Sequence, residues 1–211
     1  QKQDLPAQHR AIASPIRELD MVLTRLCSSV PVDLLPGSSD PCNVFLPQQP
    51  FHHCLLPSAN MYSTFRAATN PYEAFMSTEP GKEMEVDDAT GLLLVGTSGQ
   101  NVDNVLRYST IGSSLDVMEG MLKWRHLAPT APDTLHCFPM SEEDPFICQR
   151  CPHLFFAGGQ KEFGSRLVEG GQGQKSLVVA VPSFATSRSA VLVNMKTLHA
   201  ELISFNTDAF K

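Results

Sequence analysis

The sequence predicts an α/β fold, a sandwich of mixed sheets flanked by helices, and three observations predict it. Short apolar runs closing on glycine or proline recur along the chain, at VDLLPG, LLLVG, LFFAGG and LVVAVP. Segments with apolar residues at helical spacing lie before and between them. The last quarter, SLVVAVPSF, SAVLVNMKT and LISFN, runs apolar or alternates with turn residues between, which reads as antiparallel strands closing a sheet. Strands with intervening helices and an antiparallel finish make a layered α/β domain.

Each element has a local reason. Ser14 is a natural helix cap and Pro15 suits the first helical position, with Ile16, Leu19, Leu23 and Leu26 following at helical spacing, so a helix is expected over 15–28. Residues 1–14 are polar and open on Gln1 rather than Met, and they read as a linker from an upstream part of a longer protein. Val30 to Leu35 is β-prone and stops at Pro36-Gly37. The segment from Pro41 to Pro71 mixes prolines with Phe45, Phe51, Tyr62 and Phe65, which suggests a long ordered surface stretch with a short helix near 60–68.

Residues 76–90 gather Glu79, Glu83, Glu85, Asp87 and Asp88 against Lys82, the composition of a hydrated, mobile acidic loop. Leu92 to Gly96 reads as a buried strand that turns at Thr97-Ser98-Gly99 into the helical NVDNVLRY. Ser114 then caps a helix whose apolar face is Leu115, Met118, Met121, Leu122 and Trp124. Leu154 to Ala157 is a further strand ending at Gly158-Gly159.

Composition narrows the function. The chain has 211 residues, 42% of them apolar and 18% charged, enough for one sizeable core. A net charge of -6 disfavours a protein that grips nucleic acid by neutralising phosphates, so contact with DNA is expected to be weak or indirect. No apolar run approaches the roughly 20 residues of a bilayer-spanning helix. The six cysteines are scattered and read as reduced thiols.

Several segments taken in order carry a resemblance: LLPGSSDPCNVFLPQQPFH, ATNPYE, VGTSGQNVDN, MLKWRHLAPTAPDTLHCFP, EDPFI and CPHLFFAGGQKEFGS. Together they resemble the small, non-catalytic B-subunit family of eukaryotic replicative DNA polymerases, in its delta branch. The resemblance implies a calcineurin-like phosphoesterase domain that has lost its activity, of which residues 15–211 would be the later part. It also implies a nuclear scaffold without cofactor or metal, serving DNA replication and repair synthesis. Its partners would be the cysteine-rich C-terminal region of the polymerase delta catalytic subunit and a third accessory subunit.

Related small subunits of archaeal family-D polymerases keep the metal motifs, and the resemblance lets these be laid on the chain. Their P-G-N-H-D falls on Pro36-Gly37-Ser38-Ser39-Asp40, their T-H-G on Thr97-Ser98-Gly99, and their G-H-x-H on Gly158-Gly159-Gln160-Lys161. The positions implied to have lost their ligands are thus Ser38, Ser39, Ser98, Gly159 and Lys161. A two-metal phosphoesterase needs imidazoles and carboxylates around two cations, which hydroxyls, a glycine and a lysine do not supply.

Other readings compete. A working phosphodiesterase would have to recruit Asp40, Asp103 and His126, whose spacing matches no known ligand pattern. The B subunit of polymerase alpha or epsilon shares the same domain plan. Cys148-x-x-Cys151-x-His153 is half of a zinc-type spacing with no convincing second pair. His52 and His53 are neighbours that would point to opposite sides of an extended chain. Phe51, Tyr62, Phe65 and Tyr72 punctuate the proline-rich segment and are candidate partner contacts, with pinning of that segment to the body as the other reading.

Overall fold

The computed structural model describes residues 5–77, 91–171 and 173–205, with side chains from residue 14 onward. Its centre is a five-stranded sheet in the order β3-β4-β5-β7-β6. The strands are β3 (Tyr72–Met76), β4 (Leu92–Thr97), β5 (Leu154–Gln160), β6 (Gly164–Glu169) and β7 (Lys175–Pro182). β4, β5 and β7 run parallel, and the outer strands β3 and β6 pair antiparallel to them.

Side-chain alternation divides the central strands between two cores. Phe155, Ala157, Val178 and Ala180 face the helices α2 (Gln100–Tyr108) and α3 (Ser114–Trp124), packing with Val102, Val105, Val117, Met118 and Met121. Leu154, Phe156, Leu177 and Val179 face the other way, onto the hairpin of β8 (Ser189–Asn194) and β9 (His199–Ser204) through Ala200, Val191 and Val193. Fully buried strands need this cover on both faces; the expected mixed α/β sheet is what the chain builds, with helices on one face and the hairpin on the other.

A second body precedes the sheet. The helix α1 (Leu5–Cys27) packs Leu23 and Cys27 against Phe51, Leu56, Ala59 and Phe65. Beside it, β1 (Val32–Leu34) and β2 (Phe65–Ala67) form a two-stranded parallel sheet. The buried Asp20 of α1 holds the following loop: its carboxylate accepts the backbone N–H groups of Ser58 at 3.1 Å and Ala59 at 2.9 Å.

The elements depart from expectation in five places. α1 starts before Pro15, so Ser14 is not its cap and residues 5–14, read as linker, are helical. Helix formers such as Ala7, Gln8, Arg10, Ala11 and Ala13 favour the extension, although Pro15 inside the helix removes one hydrogen bond and crowds the carbonyl four residues earlier. Instead of a helix near 60–68 there is a 3-10 turn at Ala59–Met61 followed by β2.

Trp124 ends α3 half-exposed over Gly120 rather than in the core. β5 runs through Gly158-Gly159 to Gln160, with a register shift after Ala157. In the last quarter, β7 joins β5 in parallel and β8–β9 pair separately, while β6, whose GSRLVE alternates with charge, gave no apolar run to read. The acidic stretch read over 76–90 begins at the end of β3, and residues 78–90 lie outside the described residues. Among the described residues no helix is long and apolar enough to cross a membrane.

Asp20 gives a test of the first body. Burial opposes its ionisation, but the hydrogen bonds from Ala59 and Ser58 outweigh that and hold its carboxyl below the usual carboxylate range. A lowered folded pKa stabilises above the unfolded value of about 3.9, and that stabilisation is lost as pH falls through the folded value. Asp20→Asn should therefore be less stable than the parent near neutral pH by roughly 2 kcal/mol. Denaturant melts taken from pH 6 down to pH 3 should show the two curves converging in acid; a constant gap would assign Asp20 no ionic role.

Candidate functional site

Three strand-end turns meet at the carboxyl edge of the two sheets. The first leaves β1 at Pro36-Gly37-Ser38-Ser39-Asp40, where Pro36 is buried and Asp40 closes the turn by accepting the Gly37 N–H at 2.7 Å. The second leaves β4 at Ser98-Gly99 and enters α2, and the third is the Gly158-Gly159-Gln160 end of β5. A Cβ placed on Gly37 would lie 3.8 Å from the Ser98 Cβ, and one on Gly159 would lie 3.2 Å from the Ser98 carbonyl oxygen. Gly99 sits at φ 96°, and a Cβ there would come within 2.0 Å of the Gly158 carbonyl oxygen. Only glycine fits that approach.

Of the sequence-derived positions, Ser98 and Gly159 are brought together beside Gly37. Ser38 and Ser39 are exposed, and Lys161 is exposed just beyond β5. Lys161 and Arg107 lie close enough to favour the Asp103 carboxylate, but partial burial prevails and keeps the Asp103 carboxyl above its ordinary range.

The gap between the turns is bridged by side-chain amides that the sequence reading did not single out. Gln48 and Asn70 are both only 1% exposed. Gln48 donates through Nε2 to the Gly37 carbonyl at 3.0 Å and the Asn43 carbonyl at 2.9 Å. Its Oε1 accepts from Asn70 Nδ2 at 2.7 Å and from Gln100 Nε2 at 3.3 Å. Asn70 donates also to Ser98 Oγ at 2.8 Å and accepts the Ser98 backbone N–H at 3.3 Å. The two residues pair through their main chains as well. Gln48 uses all four hydrogen-bonding positions of its amide and Asn70 uses three.

A second link lies at the sheet edge. Arg66 of β2 pairs with Asp33 of β1, and the Tyr72 hydroxyl of β3 donates to the same carboxylate. Burial opposes the Asp33 charge, but Arg66 and Tyr72 hold its carboxyl below the ordinary range, while burial and the bond to Asp33 push the Tyr72 phenol up.

The candidate contact aromatics separate. Phe51 and Phe65 are buried in the α1 core, which corrects the contact reading for these two: they pin the proline-rich segment to the body. Tyr62 is 38% exposed, and Tyr72 is half-buried with its hydroxyl engaged.

The remaining metal-type residues have other partners. His153 Nδ1 accepts the Leu93 N–H at 3.0 Å and Cys151 Sγ lies 3.1 Å from Ser176 Oγ. Burial, with Glu73 and Cys151 nearby, pushes the Cys148 thiol up to about 11. His126 Nε2 meets Asp144 at 2.9 Å, on a different loop from Asp40.

The family model for the DNA polymerase alpha/epsilon B subunit matches residues 3–165. The chain belongs to this family. Its delta-branch relatives include the DNA polymerase delta small subunit of Arabidopsis thaliana, 42% identical over 193 residues, or 92% of this chain and 41% of the relative. DNA polymerase delta subunit 2 of Drosophila melanogaster is 43% identical over 194 residues, covering 92% of this chain and 42% of the relative. The DNA polymerase delta small subunit of Saccharomyces cerevisiae is 30% identical over 222 residues, covering 90% of this chain and 42% of the relative. The chain thus spans about two fifths of the length of these relatives. The delta resemblance read from the ordered segments is borne out.

The amide joint predicts a stability pattern. Asn70→Ala leaves the Ser98 N–H and hydroxyl without their buried partner and should destabilise by roughly 3 kcal/mol. Ser38→Ala and Ser39→Ala, exposed on the turn, should stay within about 0.5 kcal/mol of the parent. Chemical denaturation of the three variants checks the contrast, and equal effects would remove the amides from their central place.

Proposed function

We propose that this chain is a stretch of the small subunit of DNA polymerase delta, a non-catalytic scaffold built on an inactivated phosphoesterase domain. Residues 15–211 would be the later part of that domain. In the nucleus it would hold the cysteine-rich C-terminal region of the catalytic subunit and a third accessory subunit during strand elongation and repair synthesis. Contact with DNA would be weak or made through those partners, in line with the acidic net charge.

The observation that carries the reading is the content of the strand-end turns. Ser98 and Gly159 stand where the resemblance puts ligands, and the space beside them is tied up by neutral amides of Gln48 and Asn70. A hydrolytic centre for phosphodiesters needs anionic oxygens and free imidazole nitrogens converging on two cations. Here the one carboxylate of the first turn, Asp40, is engaged with its own backbone. The family description names polymerases alpha and epsilon, and the relatives named for polymerase delta favour that branch instead.

Sizing chromatography of the complete parent protein with the cysteine-rich tail of a polymerase delta catalytic subunit tests the scaffold. A stoichiometric complex that survives high salt is expected; separate elution would remove the proposed role. The same preparation should give no phosphodiester hydrolysis in manganese above a buffer blank, and turnover abolished by Asp40→Ala would overturn the inactive reading.

A further inference from the structure

A cluster of donor side chains lies apart from the strand-end turns, where the chain crosses the first body. Phe51 and Leu56 are buried in the α1 core and anchor the short segment between them at both ends. Within it, Leu55 N–H bonds the His52 carbonyl at 2.9 Å and Leu56 N–H bonds the His53 carbonyl at 3.3 Å, making a 3-10 turn at His53–Leu55. The turn overrides the extended geometry expected for this pair. The His52 and His53 rings lie on the same side with centroids 4.2 Å apart and planes inclined by 33°. Cys54 follows as an exposed free thiol.

One nitrogen of each imidazole and the Cys54 Sγ all lie within 4.8 Å of one another. Among the described residues no other group of three such donors is drawn so close.

We propose that His52, His53 and Cys54 form a binding site for a borderline-soft divalent transition metal of the zinc class, with the fourth position open to water. Two imidazoles and a thiolate suit Zn²⁺ and Co²⁺ and discriminate against Mg²⁺ and Ca²⁺, which take oxygen donors. Tetrahedral bonds of about 2.0 Å to nitrogen and 2.3 Å to sulfur put the donor atoms about 3.5 Å apart. The exposed side chains close the remaining distance by χ rotation, and the anchored backbone keeps its place.

The competing interaction is weak: His52 Nδ1 accepts the Cys54 N–H at 3.3 Å, near the long end for such a bond. On binding, the Cys54 thiol gives its proton to solvent and the thiolate binds the metal. The donor set shares nothing with the phosphoesterase positions, so this site stands or falls independently of the proposed scaffold role.

Metal-free full-length chain titrated with Co²⁺ is the test, with Zn²⁺ as competitor. The expected result is a one-to-one complex with a near-ultraviolet thiolate-to-cobalt band and tetrahedral visible bands, displaced by Zn²⁺ and indifferent to Mg²⁺. Cys54→Ser should abolish the thiolate band, and His53→Gln, which removes one of the three proposed ligands, should weaken Co²⁺ binding by at least the roughly tenfold that loss of even a supporting partner costs. Cys151→Ser should change neither. The altered side chains are exposed, so all three variants should melt like the parent. A thiolate band that persists in Cys54→Ser, an affinity unchanged by His53→Gln, or the absence of any band at saturating Co²⁺ would overturn the site.

Discussion

The two bodies of this chain are joined through a pair of buried amides, and the arrangement of the strand-end turns depends on them. A two-stranded parallel sheet such as β1–β2 is too small to stand alone. Gln48 and Asn70 carry its end across to β4, gripping Gly37 on one side and Ser98 on the other. A fully satisfied buried network orders its surroundings, and a partly satisfied one is worse than an apolar filling, so the elements that present these partners have little freedom to shift. The Asp33, Arg66 and Tyr72 cluster repeats the linkage at the sheet edge, where solvent weakens it.

The same network bears on chemistry. An amide carbonyl can ligate a hard cation, yet both carbonyl oxygens here already accept hydrogen bonds, and both NH₂ groups point donors at neighbouring oxygens. A divalent ion entering between the amides would face their N–H groups and uncharged oxygens that already accept hydrogen bonds, a poor exchange for its hydration. On the proposed reading, loss of the ligands and gain of the amides are complementary. On that reading, what is lost in catalysis would return as a rigid junction, a common direction of exchange between activity and stability.

Much of this was legible in the residues. Apolar runs ending in Gly or Pro located β4, β5 and β7, because strands buried on both faces are continuously apolar, and the stop at Pro36-Gly37 located β1. β6 escaped because Arg166 pairs with Asp116 and Glu119 on α3, which makes a charged residue part of a covered strand. The orientation of His52 and His53 was misread because a 3-10 turn has no strong sequence signature, and its cause lies in the burial of Phe51 and Leu56 on either side. Gln48, Asn70 and Gln100 were overlooked as individuals, although they sit inside LPQQP, ATNPYE and VGTSGQ, the segments that carried the resemblance. A buried amide and a surface amide look alike in sequence, since only tertiary structure decides which one finds four partners.

Asp40 shows how a strand-end turn can hold its form by hydrogen bonding alone. Its carboxylate accepts the Gly37 N–H, and the Asp40 N–H returns toward the Gly37 carbonyl at 3.4 Å, so the side chain closes the loop by local bonding alone. The Gly37 carbonyl in turn is the acceptor that Gln48 uses, which makes the turn one wall of the junction. The junction therefore gives Pro36, Gly37 and Asp40 a structural role, while nothing in that geometry constrains Ser38 and Ser39. An aspartate at this position is thus weak support for a cation site. Its bond to the Gly37 N–H gives it a structural role of its own.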